Sequence, residues 1–137
     1  IGFVFQGFHL IPSLDALENV ELPLLYRGMG REERRRLARE SLEQVGLGRR
    51  LHHRPGEMSG GEQQRVAIAR AIAHKPDIIF ADEPTAELDT ATALHVVKLF
   101  KELVARDEMT IIMTTHDPSM IDIADKVYTL EDGEIVE

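Results

Sequence analysis

Three short apolar runs along the chain predict the strands of a central sheet. Residues 1–5 are rich in β-branched and aromatic side chains, which favour a strand. Residues 77–82 and 109–115 are near-continuous apolar runs, which are typical of parallel strands covered on both faces. A further strand is predicted near residues 126–130, and residues 135–136 follow an acidic turn and start another.

Apolar residues at helical spacing predict helices between these strands. The clearest stripe is Ala38, Leu42 and Val45, at positions i, i+4 and i+7 of a helix over about residues 31–45. A cap at Ser13 or Asp15 opens an earlier helix that reaches about residue 23 or 26. Similar signals place the other helices at about residues 60–74, 90–106 and 118–124.

The order of these elements predicts the fold class. After the first strand the chain is helical as far as residue 58, and then strands and helices alternate. This alternation predicts an α/β fold with a parallel sheet, continued by the strand near residues 126–130. The helical part is expected to form a separate lobe. The chain is therefore divided into a strand and loop (1–13), a helical lobe (14–58) and a remaining core (59–137).

Composition and charge narrow the class of protein. A chain of 137 residues fits one domain, and the lack of cysteine excludes disulfides and thiolate metal sites. The net charge of −8 argues against a nucleic-acid partner, because nucleic-acid-binding proteins usually carry a basic excess. No apolar run approaches the ~18–20 residues that span a bilayer, so any link to a membrane is expected to go through a partner.

Two carboxylates, Asp82 and Glu83, lie at the end of the second apolar run. Ligand sites of parallel α/β sheets lie beyond the carboxyl ends of the strands, and Mg²⁺ prefers carboxylate, water and phosphate oxygens. Asp82 suits that metal role, while Glu83 projects in another direction and is free to accept a proton from water. The alternative is that the pair only caps a helix. Asp89, or Thr90 beside it, is interpreted as the cap of the next helix.

Gln6 and His116 follow the other two apolar runs in the same way. A histidine at a strand end is placed to hydrogen-bond a phosphate or to orient a water, although a lone histidine is more often structural or exposed. Gln6 is a weaker candidate for ligating metal or positioning water. The remaining histidines are interpreted as structural or surface residues, apart from His9, which stays undecided.

Residues 58–71 read MSGGEQQRVAIARA and open a strong helix. Ser59 and Glu62 fit a capping box, in which each side chain bonds the other's backbone amide. The box does not explain Gly60 and Gly61, because glycine costs about 0.5–1 kcal/mol relative to alanine in a helix. Bare amides at the positive end of a helix dipole make an anion site, and the two glycines are interpreted in that way.

In this order, these segments resemble the nucleotide-binding domain of ABC transporter ATPases. Residues 5–6 (FQ) resemble the Q-loop, and residues 58–71 resemble the signature motif with its helix. Residues 78–84 (IIFADEP) are similar to Walker B with the catalytic glutamate. Residues 86–89 (AELD) are similar to the D-loop and residues 114–116 (TTH) to the histidine switch.

The resemblance implies a P-loop NTPase (RecA-like) fold with an inserted helical lobe, and it implies a role for each matching residue. Asp82 would hold Mg²⁺ through water, with Gln6 approaching the same metal. Glu83 would be the general base, and His116 would contact the γ-phosphate of ATP. The loop that follows Gln6 is similar to the subfamily serving lipoprotein-releasing and macrolide-exporting permeases.

The resemblance also implies two protein partners. The predicted nucleotide-binding residues Ser59, Gly60, Gly61 and Glu62 would lie against ATP bound by a second ATP-binding subunit, and Asp89 would support the contact between the two subunits. The helical lobe would dock a transmembrane permease. The protein would then lie peripherally on the cytoplasmic face of the cell membrane, where it couples ATP hydrolysis to transport.

The chain departs from the family pattern mainly by what it lacks. Met58 and Glu62 stand where the commonest signature has Leu and Gln, but no G-x-x-x-x-G-K-[ST] motif occurs in the 137 residues. Since the chain opens on a strand-like segment without methionine, it is expected to begin inside a domain, as an N-terminally truncated fragment. Such a fragment is expected to bind ATP weakly or not at all. In this family the P-loop strand lies beside the strand at 109–115, and its loss would leave that edge unpaired. Self-association, a swapped strand or marginal stability is therefore also expected.

Two other classes of protein remain open from the sequence. One is a non-transport ABC ATPase, of the repair or the translation-factor type. The repair type carries long coiled coils between the segments that hold Gln6 and Ser59, and only about fifty residues separate the two here. The other is a non-catalytic module that docks a permease. The presence of Glu83 and His116 argues against it for the parent protein, and the missing P-loop argues for it in this chain.

Overall fold

A three-stranded parallel sheet forms the centre of the computed structural model, which describes residues 1–136. The strands are β1 (Gly2–Val4), β2 (Ile78–Asp82) and β3 (Thr110–Thr114), in the order β1-β2-β3. The register pairs Val4 with Ala81 and Asp82 with Thr114, so all three strands end at one edge of the sheet. The predicted parallel α/β sheet is confirmed.

Five helices lie where the apolar spacing predicts them, within the part of the chain that the structure describes. They are α1 (Ala16–Tyr26), α2 (Arg31–Gln44), α3 (Gly60–Ile72), α4 (Thr90–Asp107) and α5 (Pro118–Ile123). Asp15 caps α1 in a capping box with Glu18, and the stripe of Ala38, Leu42 and Val45 is buried. α3 ends two residues before the predicted His74.

The hydrophobic core is one continuous cluster on a single face of the sheet. Ile79 and Ala81 of β2 are buried in it together with side chains of α3 and α4. α1 and α2 pack on each other and on α3, and their buried residues belong to the same cluster. The boundaries 1–13, 14–58 and 59–137 stay a prediction, and Glu137 lies outside the described residues.

The expectation that β2 and β3 are covered on both faces is wrong for this structure. Phe80 is 37% exposed, Ile112 is 50% exposed and Phe3 is 52% exposed, all on the face opposite the core. The helices that pack on the sheet cover only the face of Ile79 and Ala81. An apolar run in the sequence indicates that both faces of a strand can be buried, but it does not indicate which elements pack against each face.

The strand predicted near residues 126–130 does not continue the parallel sheet. The chain forms β4 (Thr129–Glu131) and β5 (Glu134–Val136), which pair antiparallel in a sheet of their own. Asp132 and Gly133 between them have φ of 50° and 81°. Two consecutive positive φ angles are typical of the tight turn of a hairpin, and this turn overrides the strand–helix–strand alternation.

Candidate active site

The carboxyl ends of the three strands open onto a cleft of about 590 Å³. Three of the predicted site residues line it, namely Gln6 after β1, Glu83 after β2 and His116 after β3. The other lining residues belong to the segments that follow the same strands or to the start of α4: Thr85, Ala86, Leu88, Thr90, Ala93, Asp117, Pro118 and Ser119. The structure therefore brings together one candidate residue from each strand.

Glu83 and His116 face each other across this cleft. His116 Nε2 lies 3.4 Å from Glu83 Oε1, and the side chains are 95% and 22% exposed. Glu83 has φ of 46°, an uncommon conformation for a residue other than glycine. Its backbone is held there because its N–H donates to the Thr114 carbonyl at 2.9 Å. A partly buried carboxylate beside an exposed imidazole can exchange a proton with a water bound next to the pair.

Asp82, at the end of β2, is held by a neighbouring threonine. The Thr114 hydroxyl donates to Asp82 Oδ1 at 2.6 Å, and the same hydroxyl accepts from the Glu83 N–H at 3.3 Å. Asp82 is exposed and is not among the residues that line the cleft. Thr114 thus fixes one oxygen of Asp82 and leaves the other oxygen of that carboxylate to a ligand.

A second hydrogen-bonded pair joins the segments that carry Glu83 and His116. The hydroxyl of Thr85, which is buried, donates to Asp117 Oδ2 at 2.8 Å. The other oxygen of Asp117 accepts from the Ser119 N–H and caps α5. Since Thr85 lies two residues after Glu83, and Asp117 follows His116, this pair fixes the width of the cleft.

The capping box predicted at the start of α3 is present. Ser59 Oγ accepts from the Glu62 N–H at 3.2 Å, and Glu62 Oε1 accepts from the Ser59 N–H at 3.0 Å. The bond from the Ser59 backbone lowers the pKa of Glu62 below its ordinary value of 4.5, and Arg50 contributes less to the same shift. Ser59 and Glu62 do not line the cleft of Glu83.

Gly61 has a packing reason that the sequence interpretation missed. It is buried, and a Cβ added there would run into the Thr92 methyl group on α4. At Gly60 an added Cβ would meet Leu88 Cδ2 at 3.6 Å and Phe8 Cζ at 3.7 Å, which are ordinary contacts. Close packing of α3 on α4 therefore explains Gly61, whereas no such close contact explains Gly60.

Of the two predicted caps, Asp89 and Thr90, the structure shows Asp89 as the N-cap of α4. Its carboxylate accepts from the Thr92 N–H at 2.8 Å, and this bond lowers the pKa of Asp89. Asp89 is exposed and lies outside the cleft lining. Gln6, Glu83 and His116 thus meet in one cleft, whereas Asp82, Asp89 and the start of α3 lie around it.

Sequence reasoning missed two polar residues of α3 that hold the strand ends. Arg70 donates to the carbonyls of Phe8 and His9 at 3.0 and 2.9 Å, and so ties down the loop after β1. Gln64 is fully buried and donates to the carbonyls of Phe5 and Pro84. The only signal in the sequence was that Gln64 precedes, and Arg70 interrupts, the apolar stretch of residues 66–73, and this signal does not identify the carbonyls that the two residues bind.

The donor set limits how a metal ion could bind. The described residues contain no cluster of three or more His, Cys, Asp or Glu side chains that could hold a metal by themselves. Asp82 and Gln6 supply a carboxylate and an amide oxygen, which are hard donors. Mg²⁺ is usually held by one or two carboxylates together with water and substrate phosphate. The residues therefore fit a magnesium ion that arrives with a nucleotide, and do not fit one bound by protein alone.

Comparison with known proteins assigns the family. Residues 1–86 match the ABC transporter family. An ABC transporter ATP-binding protein of Thermotoga maritima is 53% identical over 135 residues, which cover 98% of this chain and 57% of that protein. The macrolide export ATP-binding/permease protein MacB of Wolinella succinogenes is 50% identical over 134 residues, covering 98% of this chain and 21% of MacB. The chain belongs to the ABC transporter family and corresponds to part of its ATP-binding domain.

The solved structures agree with this assignment. The ATP-binding cassette MJ0796, in a dimeric post-hydrolysis state bound to ADP and Pi, has a TM-score of 0.85 and 47% identity, and the match covers 99% of this chain and 60% of that cassette. The predicted P-loop NTPase fold is therefore confirmed at the level of the cassette. The chain spans about 60% of the length of this neighbour. None of the described helices is long and apolar enough to cross a membrane.

Proposed function

We propose that the chain supplies the catalytic base and the signature motif of an ATPase that drives transport through a membrane permease. The observation that carries this proposal is the meeting of Gln6, Glu83 and His116 in one cleft at the strand ends. These three side chains come from three different strands, and each matches a motif with a role in ATP hydrolysis. An arrangement that served only to cap helices would not need all three to face one space.

Glu83 is proposed as the general base and His116 as the residue that contacts the γ-phosphate. Glu83 can accept the proton of an attacking water, because its carboxylate lines the cleft and is only 22% exposed. His116 Nε2, 3.4 Å away, can donate to a phosphate oxygen or hold the same water in place. The hydrogen bond between Thr85 and Asp117 keeps the two groups at this separation.

Asp82 and Gln6 are proposed to hold Mg²⁺ when it enters with ATP. The bound ion would neutralise the charge that develops on the phosphate oxygens during transfer. Thr114 orients Asp82 by donating to one of its oxygens, which leaves the second oxygen free to bind the ion through water. Gln6 would offer its amide oxygen from the end of β1, the strand that pairs with β2.

The start of α3 is proposed to act on nucleotide held by a second ATP-binding subunit. Ser59, Gly60 and Gly61 are not among the residues that line the cleft of Glu83, which favours a different nucleotide as their ligand. Their amides, at the positive end of a helix of 13 residues, favour an anion such as a γ-phosphate. Glu62 fixes the backbone at the start of α3 through the capping box. Asp89 is proposed to support the contact between subunits. MJ0796 is described as dimeric.

The second proposed partner is a transmembrane permease. MacB carries an ATP-binding and a permease function in one protein, as its name states, and the present chain matches 21% of its length. The helical lobe is the proposed docking surface, and the protein would then lie on the cytoplasmic face of the membrane. No role in binding nucleic acid is proposed, since the net charge is −8.

The 137 residues by themselves are proposed to bind ATP weakly or not at all. They contain no phosphate-binding loop with its lysine, which is the main anchor of the triphosphate in P-loop ATPases. Titration calorimetry of the 137-residue polypeptide with Mg·ATP is expected to give no measurable binding heat. Micromolar affinity would contradict this part of the proposal.

The general-base role is tested by Glu83→Gln in the protein at its full natural length. Hydrolysis of ATP is expected to fall by about a hundredfold or more, while nucleotide binding persists, because the amide cannot accept the proton. Glu102→Gln, an exposed glutamate on α4, is the matched control and should leave hydrolysis unchanged. Full activity of Glu83→Gln would exclude Glu83 as the base.

A further inference from the structure

One buried amide reaches the backbone beside two of the proposed site residues. Gln64, on α3, is fully buried, and its Nε2 donates to the Phe5 carbonyl at 3.4 Å and to the Pro84 carbonyl. Phe5 directly precedes Gln6, and Pro84 directly follows Glu83. A single side chain of the signature helix is thus bonded to both segments at the point where they enter the cleft.

The Gln64 amide binds residues 5 and 84 just beyond the point where the hydrogen bonds between β1 and β2 end. The last β1–β2 pair in the register is Val4 with Ala81. Past this pair, residues 5–13 run as a loop, and Glu83 adopts its positive φ. An uncommon backbone conformation of this kind persists only where the surroundings fix it. The bond to the next carbonyl, that of Pro84, is one such constraint.

The side-chain oxygen of Gln64 makes no hydrogen bond within the part of the chain that the structure describes, and this observation bears on why glutamine occupies the position. A buried acceptor without a partner destabilises a fold, and an apolar side chain of the same length would avoid that cost. The two donated bonds are therefore the favourable contribution that the amide makes.

We propose that Gln64 is a positioning residue that sets the place of Gln6 relative to Glu83. It does not line the cleft, so it acts through the carbonyls of Phe5 and Pro84. This inference rests on the proposed function of Gln6 and Glu83. Loss of the amide lets the two segments move independently, which slows the chemical step and leaves nucleotide binding in place.

The test is Gln64→Met in the protein at its full natural length, because methionine matches glutamine in length but has no amide. The backbone N–H groups of residues 5–8 and of the non-proline residues of 83–88 are expected to exchange hydrogen faster, while the rest of α3 is unchanged. For ATP hydrolysis, kcat is expected to fall by roughly ten- to a hundredfold, with KM nearly unchanged, since small misplacements of catalytic groups are costly.

Gln44→Met is the matched control. Gln44, at the end of α2, also donates to a residue distant in sequence, Asp107 at the end of α4. It is exposed, and its partner does not line the cleft. The control should change neither the exchange at the two segments nor kcat. A kcat loss in Gln44→Met equal to that in Gln64→Met would overturn the proposal, because losing a glutamine hydrogen bond anywhere in the protein would then lower kcat.

Two further outcomes would overturn it. Unchanged exchange at residues 5–8 and 83–88 would show that the amide does not hold these segments, and faster exchange with unchanged kcat would reduce Gln64 to a structural residue. If Gln64→Met does not fold, NMR of the unmodified protein decides: hydrogen-bond couplings from the Gln64 side chain to the Phe5 and Pro84 carbonyls support the proposal, and their absence overturns it. Undiminished hydrolysis by Glu83→Gln would defeat the proposed function, yet leave the exchange result standing.

Discussion

At the scale of single residues, the contact between Gly61 and Thr92 decides how closely α3 approaches α4. Gly61→Ala is expected to lower the free energy of unfolding by about 1–3 kcal/mol, because the new methyl group overlaps the Thr92 methyl. Threonine is β-branched and has few rotamers in a helix, so it cannot easily turn aside. Chemical denaturation of the two proteins measures the difference.

Thr92→Ser removes the obstructing methyl and should restore most of the stability lost in Gly61→Ala. Gly60→Ala is the matched control, since its Cβ would meet its neighbours at 3.6 Å or more, and it should cost less than Gly61→Ala. Equal losses from Gly60→Ala and Gly61→Ala, with no rescue by Thr92→Ser, would mean that the helix start and not the α4 contact needs glycine.

His74 gives the fold a dependence on pH. Burial lowers the pKa of His74 below its ordinary value of 6.5, and the charge of Arg27 adds to the shift. Between the lowered pKa and 6.5 the unfolded chain binds more protons at His74 than the folded chain does. Protonation of His74 therefore does not affect the free energy of unfolding above pH 6.5, and lowers it as the pH drops below that value. Urea unfolding at pH 7.5 and 5.5 should show a smaller loss for His74→Gln than for the unmodified protein. An identical loss in both would contradict this.

The residues at the strand ends were predictable, and the residues that support them were not. Glu83 and His116 follow apolar runs, and parallel strands end at one edge of a sheet, so their meeting follows from the sequence. Gln64 and Thr92 act through partners that are distant along the chain, and nothing local to either residue names those partners. Gly61 was assigned to an anion site because its packing partner on α4 was not known.

At the scale of the elements, the strand β3 is an unpaired edge with one uncovered face. Ile112, in its middle, is 50% exposed. Exposed apolar edge strands pair readily with other chains, so the 137-residue polypeptide is expected to self-associate. Ile112→Lys should shift its sedimentation toward monomer, because a charge on the edge opposes pairing. Leu94→Lys, at a 49% exposed leucine on α4, is the control and should leave the association unchanged.

A dilute polypeptide that sediments only as monomer and unfolds cooperatively would contradict that expectation. Equal effects of Ile112→Lys and Leu94→Lys would place the association elsewhere on the surface.

The type and order of the elements followed from the pattern, while their surroundings did not. The 3.6-residue stripe of α2 gave its buried face, because one helix carries that information in its own sequence. The runs of β2 and β3 suggested two covered faces, but coverage depends on other elements, and in this structure helices pack on one face only. The hairpin of β4 and β5 depends on a two-residue turn, which is a local signal. The prediction of a further parallel strand relied instead on the alternation of strands and helices along the chain, and was wrong there.

At the scale of the whole molecule, the proposed function places each working site between two copies of the protein. Glu83 and His116 line one cleft, and the amides at the start of α3 lie outside it. In a twofold symmetric pair, the cleft of each subunit would be completed by the α3 start of the other. Each nucleotide would then be hydrolysed by Glu83 of one copy and capped by Ser59 of its partner.

The most direct test of this central claim is the ATPase activity of a mixture of two inactive variants at full natural length. Glu83→Gln lacks the base and Ser59→Arg blocks the cap, so each variant alone should retain only a small residual rate of ATP hydrolysis. After mixing and exchange of subunits, about half the dimers are mixed and each contains one intact site, so about a quarter of the normal activity should return. No recovery, in a mixture shown to contain mixed dimers, would contradict the shared site.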